Sequence, residues 1–308
     1  MRELPLTFVR GFFMGAADIV PGVSGGTVAL VFGIYRRLVA TIRAGSLAIG
    51  SLLRLDVRGC VERLREVDWG FLIALLAGIG TAVLALSHLI ETLLEDHPES
   101  MSGLFLGLVA GSVVIAWKLV ERRDSRRALV MAAAAVLTFV LLGLRGGTSE
   151  ESVAQVTDPS LLVFFGAGAV AICAMILPGI SGSFLLVTLG MYSAVLSTVN
   201  ERDLLPLVVF LLGCVTGLAL FSQVLHWALE HHYDTVMAAL IGLMLGSLRV
   251  LWPWPMGVES TALGAPEGPV LLPVVLMVVG AVVVLGVELL SERIEGRTVE
   301  DEIEDLRA

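Results

Sequence analysis

Charged side chains and cysteines are both scarce in this sequence, and their scarcity excludes several classes of protein. Only 16% of the 308 residues are Asp, Glu, Lys or Arg, and no stretch is basic enough to suggest a nucleic-acid-binding domain. The three cysteines, Cys60, Cys173 and Cys214, have no paired spacing, so neither a disulfide framework nor a CxxC metal site is indicated. The sequence therefore predicts no metal, no other cofactor and no catalytic residue.

Long apolar runs dominate what remains, since 56% of the residues are hydrophobic. Three of these runs, 71–86, 101–117 and 270–290, approach the roughly 20 residues needed to cross about 30 Å of hydrocarbon. A soluble core cannot bury so many apolar residues. The sequence therefore predicts an all-α integral membrane protein that crosses the bilayer several times.

The chain contains an internal duplication. Its strongest mark is a Pro-Gly-x-Ser-Gly motif that occupies 21–25 and again 178–182, a shift of 178 − 21 = 157 residues. The same shift aligns Gly33-Ile34-Tyr35 with Gly190-Met191-Tyr192. A second shift, 213 − 78 = 135, then aligns Gly78 with Gly213, Glu95 with Glu230, Gly107 with Gly242 and Trp117 with Trp252. Two related halves are therefore predicted.

Each half is predicted to contain a re-entrant helical hairpin that carries the motif, followed by three transmembrane helices. Because three crossings are odd, the second half must enter the membrane upside down, which gives inverted-topology repeats like those of secondary transporters. Repeat 1 spans 1–145, with the hairpin at 5–42, an amphipathic segment at 43–68 that suits either a headgroup interface or a solvated connector, and helices at 70–92, 101–120 and 127–145. Repeat 2 spans 161–290, with the hairpin at 161–199 and helices at 204–229, 234–252 and 270–290; 146–160 is an extracytoplasmic linker and 291–308 a cytoplasmic tail.

The distribution of charge predicts the orientation. A cytoplasmic N-terminus places the basic segments 36–65 and 118–127 inside and the acidic loops 91–99 and 150–158 outside, which satisfies the positive-inside rule. Both termini are then cytoplasmic, and the chain is predicted to be a multi-pass protein of the plasma membrane.

The two Pro-Gly-x-Ser-Gly loops are the predicted functional site. An irregular loop at membrane depth leaves backbone groups unpaired unless it lines a cavity, and each loop opens a half-helix whose free N–H groups suit a phosphate or carboxylate. Inverted repeats would bring the loops together near the midplane as a two-sided anion cradle; the alternative is a pair of tight turns that only pack the halves together. The predicted phosphate ligands are Pro21, Gly22, Ser24, Gly25, Gly26 and Thr27 of the first loop and Pro178, Gly179, Ser181, Gly182 and Ser183 of the second.

Asp18 is an isolated carboxylate in the apolar segment 12–20, one turn before the first loop. A carboxylate inside a membrane is a functional candidate, as a proton carrier or a cation ligand, so protons or Na+ are the predicted coupling ions. The alternative is a carboxylate that caps loop N–H groups. Arg10, Arg36 and Arg37 flank the first hairpin, where they would guide an anionic headgroup or act as snorkelling anchors.

The segment 15–27, Gly-Ala-Ala-Asp-Ile-Val-Pro-Gly-Val-Ser-Gly-Gly-Thr, followed by Gly33-Ile34-Tyr35, resembles the signature of the polyprenyl-phosphate transporter family. The second motif, 177–183 with Gly190-Met191-Tyr192, agrees with it. The resemblance implies a flippase that returns undecaprenyl phosphate, or a dolichyl-type phosphate in archaea, from the outer to the cytoplasmic leaflet so that the lipid carrier is recycled. The partners it implies are this lipid and the bilayer.

Two other functions use similar loops. Membrane undecaprenyl-diphosphate phosphatases also have inverted repeats with re-entrant loops, one of them with Pro-Gly-x-Ser-Arg-Ser, but Gly182 stands where that Arg would be. Without the Arg and a paired-glutamate motif, nothing evident would stabilise a transferring phosphoryl group.

The second alternative is a transporter of a small soluble anion, which would use the loops without a lipid tail. A lateral opening between helices favours the lipid as substrate, and a closed aqueous pore favours the ion.

Overall fold

The computed structural model describes residues 3–20, 23–143, 156, 159–266 and 270–305, with side chains described as far as residue 289 except at 3, 53 and 259. Most of the predicted linker 146–160 lies outside these residues. Every regular element within them is helical, so the predicted all-α class is confirmed. The helices are α1 (Glu3–Asp18), α2 (Gly25–Val31), α3 (Tyr35–Leu53), α4 (Val57–Glu66), α5 (Trp69–Asp96), α6 (Pro98–Lys118), α7 (Ser125–Gly143), α8 (Leu161–Ile176), α9 (Gly182–Thr188), α10 (Tyr192–Asn200), α11 (Leu204–His231), α12 (Tyr233–Ser247) and α13 (Leu271–Asp305), with short 3-10 turns at Leu248–Leu251 and Gly257–Glu259.

Six helical segments are long and apolar enough to cross a membrane, which confirms the prediction of a multi-pass membrane protein. Two residues at their N-termini, Asp68 and Pro98, explain where the first two of them begin. The side chain of Asp68 accepts the N–H of Phe71 at 3.1 Å and caps α5. Pro98 opens α6, where the N–H that proline lacks would have no helical partner. The six segments are Trp69–Asp96, Pro98–Lys118, Ser125–Gly143, Leu204–His231, Tyr233–Leu251 and Leu271–Leu289.

An ion pair ties the first hairpin to the start of α5. The guanidinium of Arg37, on α3, lies 2.6 Å from the carboxylate of Asp68, and it also stacks 4.6 Å from the ring centroid of Phe71. The backbone N–H of Phe71 and then the Arg37 guanidinium hold the pKa of Asp68 below its usual value. These contacts fix where α3 and α5 begin relative to each other.

Within each half, the first helix of the hairpin runs parallel to the first long span. Gly11 of α1 lies against the backbone of Leu75 of α5, and Gly15, four residues later, lies against Ile79, also four residues later. Equal steps in the same sense mean that the two helices point in the same direction. Small residues allow this approach, as is typical of helix pairs in membranes. The same parallel packing joins α8 to α11 through Gly168, Gly213 and Gly217.

The remaining long helices pair between the halves. Gly103 of α6 lies against Pro273 of α13, and Gly107 lies against Met277, so these helices are also parallel. α7 and α12 pair in the same way, through Gly242 and Gly246 of α12. Since α6 and α7 belong to the first half and α12 and α13 to the second, the two halves interlock.

Substituting Gly107 with Val is expected to lower the thermal stability of the protein in detergent. A Cβ at this position would overlap the carbonyl group of Met277. Overpacking of this kind costs about 1–3 kcal/mol, because one of the helices must move. Gly80→Val on α5 is the matched control, since a Cβ there meets no atom within 4 Å. Equal midpoints for the two variants would contradict the tight α6–α13 contact.

Both predicted hairpins contain a broken helix. α2 and α9 have seven residues each, and each is followed by a glycine with positive φ, Gly33 at +68° and Gly190 at +67°. Glycine adopts this left-handed backbone without the steric penalty of a side chain. In the second hairpin, α9 and α10 are bent by 110° relative to each other, an angle typical of a broken span or a re-entrant loop.

The first hairpin departs from its predicted boundary at 42. α3 continues to Leu53, so the first part of the predicted amphipathic segment 43–68 belongs to α3. The break comes at Leu55, which has φ of +60°, and Asp56 then starts α4 by accepting the N–H of Gly59 at 2.9 Å. No residue of α4 is buried, so this short helix lies on the surface of the bundle.

The halves share one apolar core beside the loops. Its members come from both hairpins and from the spans α5, α11 and α12. Residues of α2 and α3 are among them, so the first hairpin is held within the bundle. The members of this core include Leu30, Tyr35, Val39, Phe71, Leu75, Ile176, Leu225 and Ile241.

Candidate functional site

The first loop is closed on itself by two side chains. The carboxylate of Asp18 accepts the N–H of Gly25 at 2.6 Å, and the hydroxyl oxygen of Ser24 accepts the N–H of Gly26 at 3.1 Å. The next N–H, that of Thr27, donates to the carbonyl of Ser24 at 2.9 Å. In this conformation, Asp18 and Ser24 therefore cap the start of α2.

Hydroxyl groups of the first half also bind the backbone of the second loop. Ser24 donates to the carbonyl of Leu177 at 3.2 Å, and Tyr35 donates to the carbonyl of Ile176 at 3.2 Å. The hydroxyl oxygen of Thr27 accepts the N–H of Gly179 at 3.0 Å. Ser24 and Thr27 are each 2% exposed; the bonds of Tyr35 and Thr27 are buried, and the bond of Ser24 is partly buried. We call these three hydrogen bonds the inter-loop contacts.

Two glycines allow the loops to approach so closely. A Cβ on Gly26 would lie 2.8 Å from the carbonyl oxygen of Ile176. Gly179 has φ of +82°, and a Cβ there would lie 2.8 Å from the Cα of Met244. Both positions therefore require glycine for packing between the loops and against α12.

The second loop turns its hydroxyl groups away from this contact. The hydroxyl oxygens of Ser181 and Ser183 lie 2.8 Å apart, and Ser183 is exposed. The side chain of Ser181 makes no capping bond to α9, unlike that of Ser24 at α2. Ser181 and Ser183 therefore hydrogen-bond to each other, and one hydroxyl hydrogen of the pair stays available to donate elsewhere.

A cavity of about 350 Å³ joins the two loops. Its polar lining consists of Asp18 and Ser24 from the first half and Ser181 and Ser183 from the second. Its remaining wall is apolar and comes from α8, α9, α10 and α11. A cavity with four polar groups at the end of broken helices can hold a small polar headgroup.

The predicted phosphate ligands fall into three groups. One group lines the cavity together with Asp18, the predicted coupling residue. Gly25, Gly26, Thr27, Pro178 and Gly179 are buried. Pro21 and Gly22 lie outside the described residues. The predicted ligands that line the cavity are Ser24, Ser181, Gly182 and Ser183.

The predicted headgroup-guiding arginines do not line this cavity. Arg36 and Arg37 line a separate cavity of about 240 Å³ together with His226 and Glu230, which lie 3.0 Å apart. Arg36 also stacks over the ring of Tyr233, 5.2 Å from its centroid. Arg10 is half-buried on α1, and its Nε has no hydrogen-bond partner among the described residues.

No role was predicted for the Tyr35 hydroxyl or for the apolar wall of the cavity. Tyr35 had a signal, because it recurs as Tyr192 in the repeat. The wall residues had none, since an apolar residue on an apolar helix looks the same whether it faces lipid or a cavity. No group of His, Cys, Asp and Glu side chains suited to a metal ion occurs in the part of the chain that the structure describes.

Comparison with known proteins identifies the family. Residues 14–265 match the family described as undecaprenyl phosphate translocase-like. The chain is 41% identical over 249 residues to a polyprenyl-phosphate transporter of Vibrio cholerae, covering 80% of this chain and 77% of that protein. It is 30% identical over 258 residues to a polyprenyl-phosphate transporter of Staphylococcus aureus, covering 80% of this chain and 86% of that protein. No solved structure matches significantly. Both relatives are named as transporters and neither as an enzyme, and the chain belongs to the undecaprenyl phosphate translocase-like family.

Proposed function

We propose that this protein transports polyprenyl phosphate from the outer to the cytoplasmic leaflet of the plasma membrane, with both termini in the cytoplasm. The observation that carries the proposal is the convergence of polar groups from both loops on one cavity within an apolar helical bundle. The names of the two relatives support the substrate class. A phosphate monoester needs hydrogen-bond donors for its head and an apolar path for its tail, and the chain offers both.

The two halves are proposed to be inverted relative to each other. Support comes from the parallel pairs formed between the halves. The second span of the first half, α6, runs parallel to the third span of the second half, α13, and α7 is paired in the same way with α12. Consecutive spans that each cross the membrane alternate in direction, so a second span parallel to a third span requires halves of opposite orientation.

The second loop is proposed to hold the phosphate while the inter-loop contacts are formed. Ser181 and Ser183 would donate hydrogen bonds from their hydroxyl groups, and Gly182 would donate from the first N–H of α9. The first-loop ligands, Ser24 to Thr27, join the site when the inter-loop contacts break and free their donors. Closed loops and parted loops would then be the two states of an alternating-access cycle.

Asp18 is proposed to couple transport to protons or Na+. Its carboxylate lines the same cavity as Ser181 and Ser183, so a bound phosphate would lie near it in a region of low dielectric. Two like charges at such a site disfavour each other, and binding of the phosphate therefore favours a protonated or cation-paired Asp18. Phosphate and cation would bind together on one side and leave together on the other.

Replacing Ser181 and Ser183 together with Ala is expected to weaken the binding of undecaprenyl phosphate to the purified protein. Hydrogen bonds to a charged group are worth about 1.5–3 kcal/mol, so the loss should be at least about tenfold in Kd. Ser197→Ala is the matched control, because the Ser197 hydroxyl is exposed on α10 and donates to the carbonyl of Ala194 at 3.0 Å. An unchanged Kd for the double variant would reduce the second loop to a structural turn.

A further inference from the structure

The wall of the cavity is chemically divided. Its polar groups all come from the two loops and the end of α1, whereas the rest of the lining comes from helices of the second half. We define the tail groove as the apolar part of this lining that extends away from the loops. It consists of Ile172, Met175, Leu186, Val195, Phe210 and Cys214.

The tail groove runs along α8 and away from the loops. Met175 lies at the loop end of α8. Phe210 of α11 lies level with Gly168 of α8, because a Cβ added to Gly168 would overlap the carbonyl group of Phe210. Seven residues of α8 separate these levels, which is about 10 Å at the helical rise. The groove is therefore longer than a phosphate group needs.

Two positions of the first half that match groove residues are closely packed. The shift of 135 residues aligns Phe210, which is half-buried, with Leu75, which is 1% exposed in the shared core. The shift of 157 residues aligns Ile172 with Gly15, which packs directly on Ile79. The space that is open in the second half is therefore filled by helix packing in the first.

The groove opens to the outside of the bundle at Met175, which is 47% exposed. Phe210 and Cys214 are half-buried on α11, and the residues that follow them, Leu211 and Val215, are exposed to the surroundings. α11 is also among the most apolar of the six spans. An apolar chain outside the bundle would therefore meet apolar side chains of α11 next to the groove.

We infer that the tail groove holds the isoprenoid segment next to the phosphate, so that the lipid enters sideways from the bilayer through the second half. This inference rests on the proposed function. The isoprenoid chain has a similar free energy in lipid and in an apolar groove, so its burial alone adds little to the binding free energy. Recognition comes from the fit of the branched chain against these side chains. The phosphate at Ser181 and Ser183 then fixes which end of the lipid lies in the groove.

Cys214 provides a native reporter for the groove. With Cys60 and Cys173 replaced by Ala, the rate of alkylation of Cys214 by N-ethylmaleimide is measured in detergent with undecaprenyl phosphate, with inorganic phosphate, or with neither. Undecaprenyl phosphate is expected to slow the reaction at least about tenfold, whereas inorganic phosphate leaves it unchanged, because only the tail covers the thiol.

The outcomes separate this inference from the proposed function. If undecaprenyl phosphate binds in a way that depends on Ser181 and Ser183 but leaves Cys214 equally reactive, the tail lies elsewhere and the phosphate site stands. If the lipid shows no saturable binding at all, the proposed function falls, and the inference falls with it. If inorganic phosphate protects as well as the lipid, the cavity binds a small anion.

A bulky side chain in the groove gives an independent test. Cys214→Trp is expected to weaken binding of undecaprenyl phosphate by more than about tenfold, because the indole occupies the space of the tail. Val215→Trp is the matched control, since Val215 is the next residue on the same helix but faces outwards. Normal binding by Cys214→Trp, with a thermal midpoint equal to that of Val215→Trp, would overturn the inference.

Discussion

Replacing Asp18 with Asn is expected to remove the dependence of lipid transfer on an ion gradient while leaving the first loop folded. Asn keeps an oxygen that can accept the N–H of Gly25, so the cap on α2 is preserved, but it carries no charge and takes up no proton. The variant therefore separates the two roles that the position of Asp18 allows. Coupling free energies between binding sites typically correspond to about 5-fold to 150-fold, and the gradient-driven acceleration should fall by a factor in this range.

The measurement is transfer of undecaprenyl phosphate between leaflets of liposomes, with and without a pH or Na+ gradient. Asp18→Ala serves as the comparison, because it removes the cap as well and should cost about 0.5–2 kcal/mol of stability. If Asp18→Asn responds to the gradient as strongly as the unmodified protein does, Asp18 is only a cap and coupling must come from elsewhere.

Replacing Thr27 with Val is expected to part the two loops. Val has nearly the shape of Thr but offers no oxygen to the N–H of Gly179, which would stay buried without a partner. An unsatisfied buried donor costs about 1–3 kcal/mol, which shifts the balance between closed and parted loops by about 5-fold to 150-fold. Hydrogen exchange of the Gly179 amide should accelerate by a similar factor, because exchange there requires the loops to open.

Thr216→Val is the control for this substitution. Thr216 is exposed on α11, and its hydroxyl donates only to the carbonyl of Leu212 on the same helix, at 2.8 Å. Its replacement should leave exchange at Gly179 unchanged. Equal exchange rates in Thr27→Val and Thr216→Val would mean that the bond between Thr27 and Gly179 does not hold the loops together.

The sequence predicts the helical spans well because an uninterrupted apolar run has few alternatives at this length. The predicted helix 204–229 corresponds to α11 at Leu204–His231, and the predicted helix 70–92 lies within α5 at Trp69–Asp96. The end of the first hairpin is less well predicted. α3 passes the predicted boundary at 42 because the backbone turns only at Leu55, a residue type that gives no sign of a break.

The residues near the site were predicted from the repeat, but their partners were not. Ser24 and Thr27 were expected to face a ligand, whereas their hydroxyls bind backbone groups of residues 177 and 179 in this conformation. A pattern within one segment indicates which groups can donate or accept hydrogen bonds. It does not indicate which distant residues will be their partners, and here these partners are 152 and 153 residues away in the sequence. The closed conformation gives the Ser24 and Thr27 hydroxyls partners in the second loop and leaves Ser181 and Ser183 in the cavity.

The two halves contribute different groups to the proposed transport cycle. The first half contributes the carboxylate of Asp18 and the hydroxyls that close the loops, and the second half contributes Ser181, Ser183 and the tail groove. A cation bound near Asp18 and a lipid bound along α8 and α11 would meet only at the phosphate. Coupling between them then requires no long path through the protein.

The decisive experiment is transfer of undecaprenyl phosphate between the leaflets of liposomes that contain this protein and no other. We expect the protein to move the intact lipid phosphate and to leave the corresponding uncharged polyprenol at the protein-free rate. The Ser181→Ala, Ser183→Ala double variant should lose this activity, and Ser197→Ala should keep it. Transfer no faster than in protein-free liposomes, or equal transfer of the uncharged polyprenol, would contradict the proposed function.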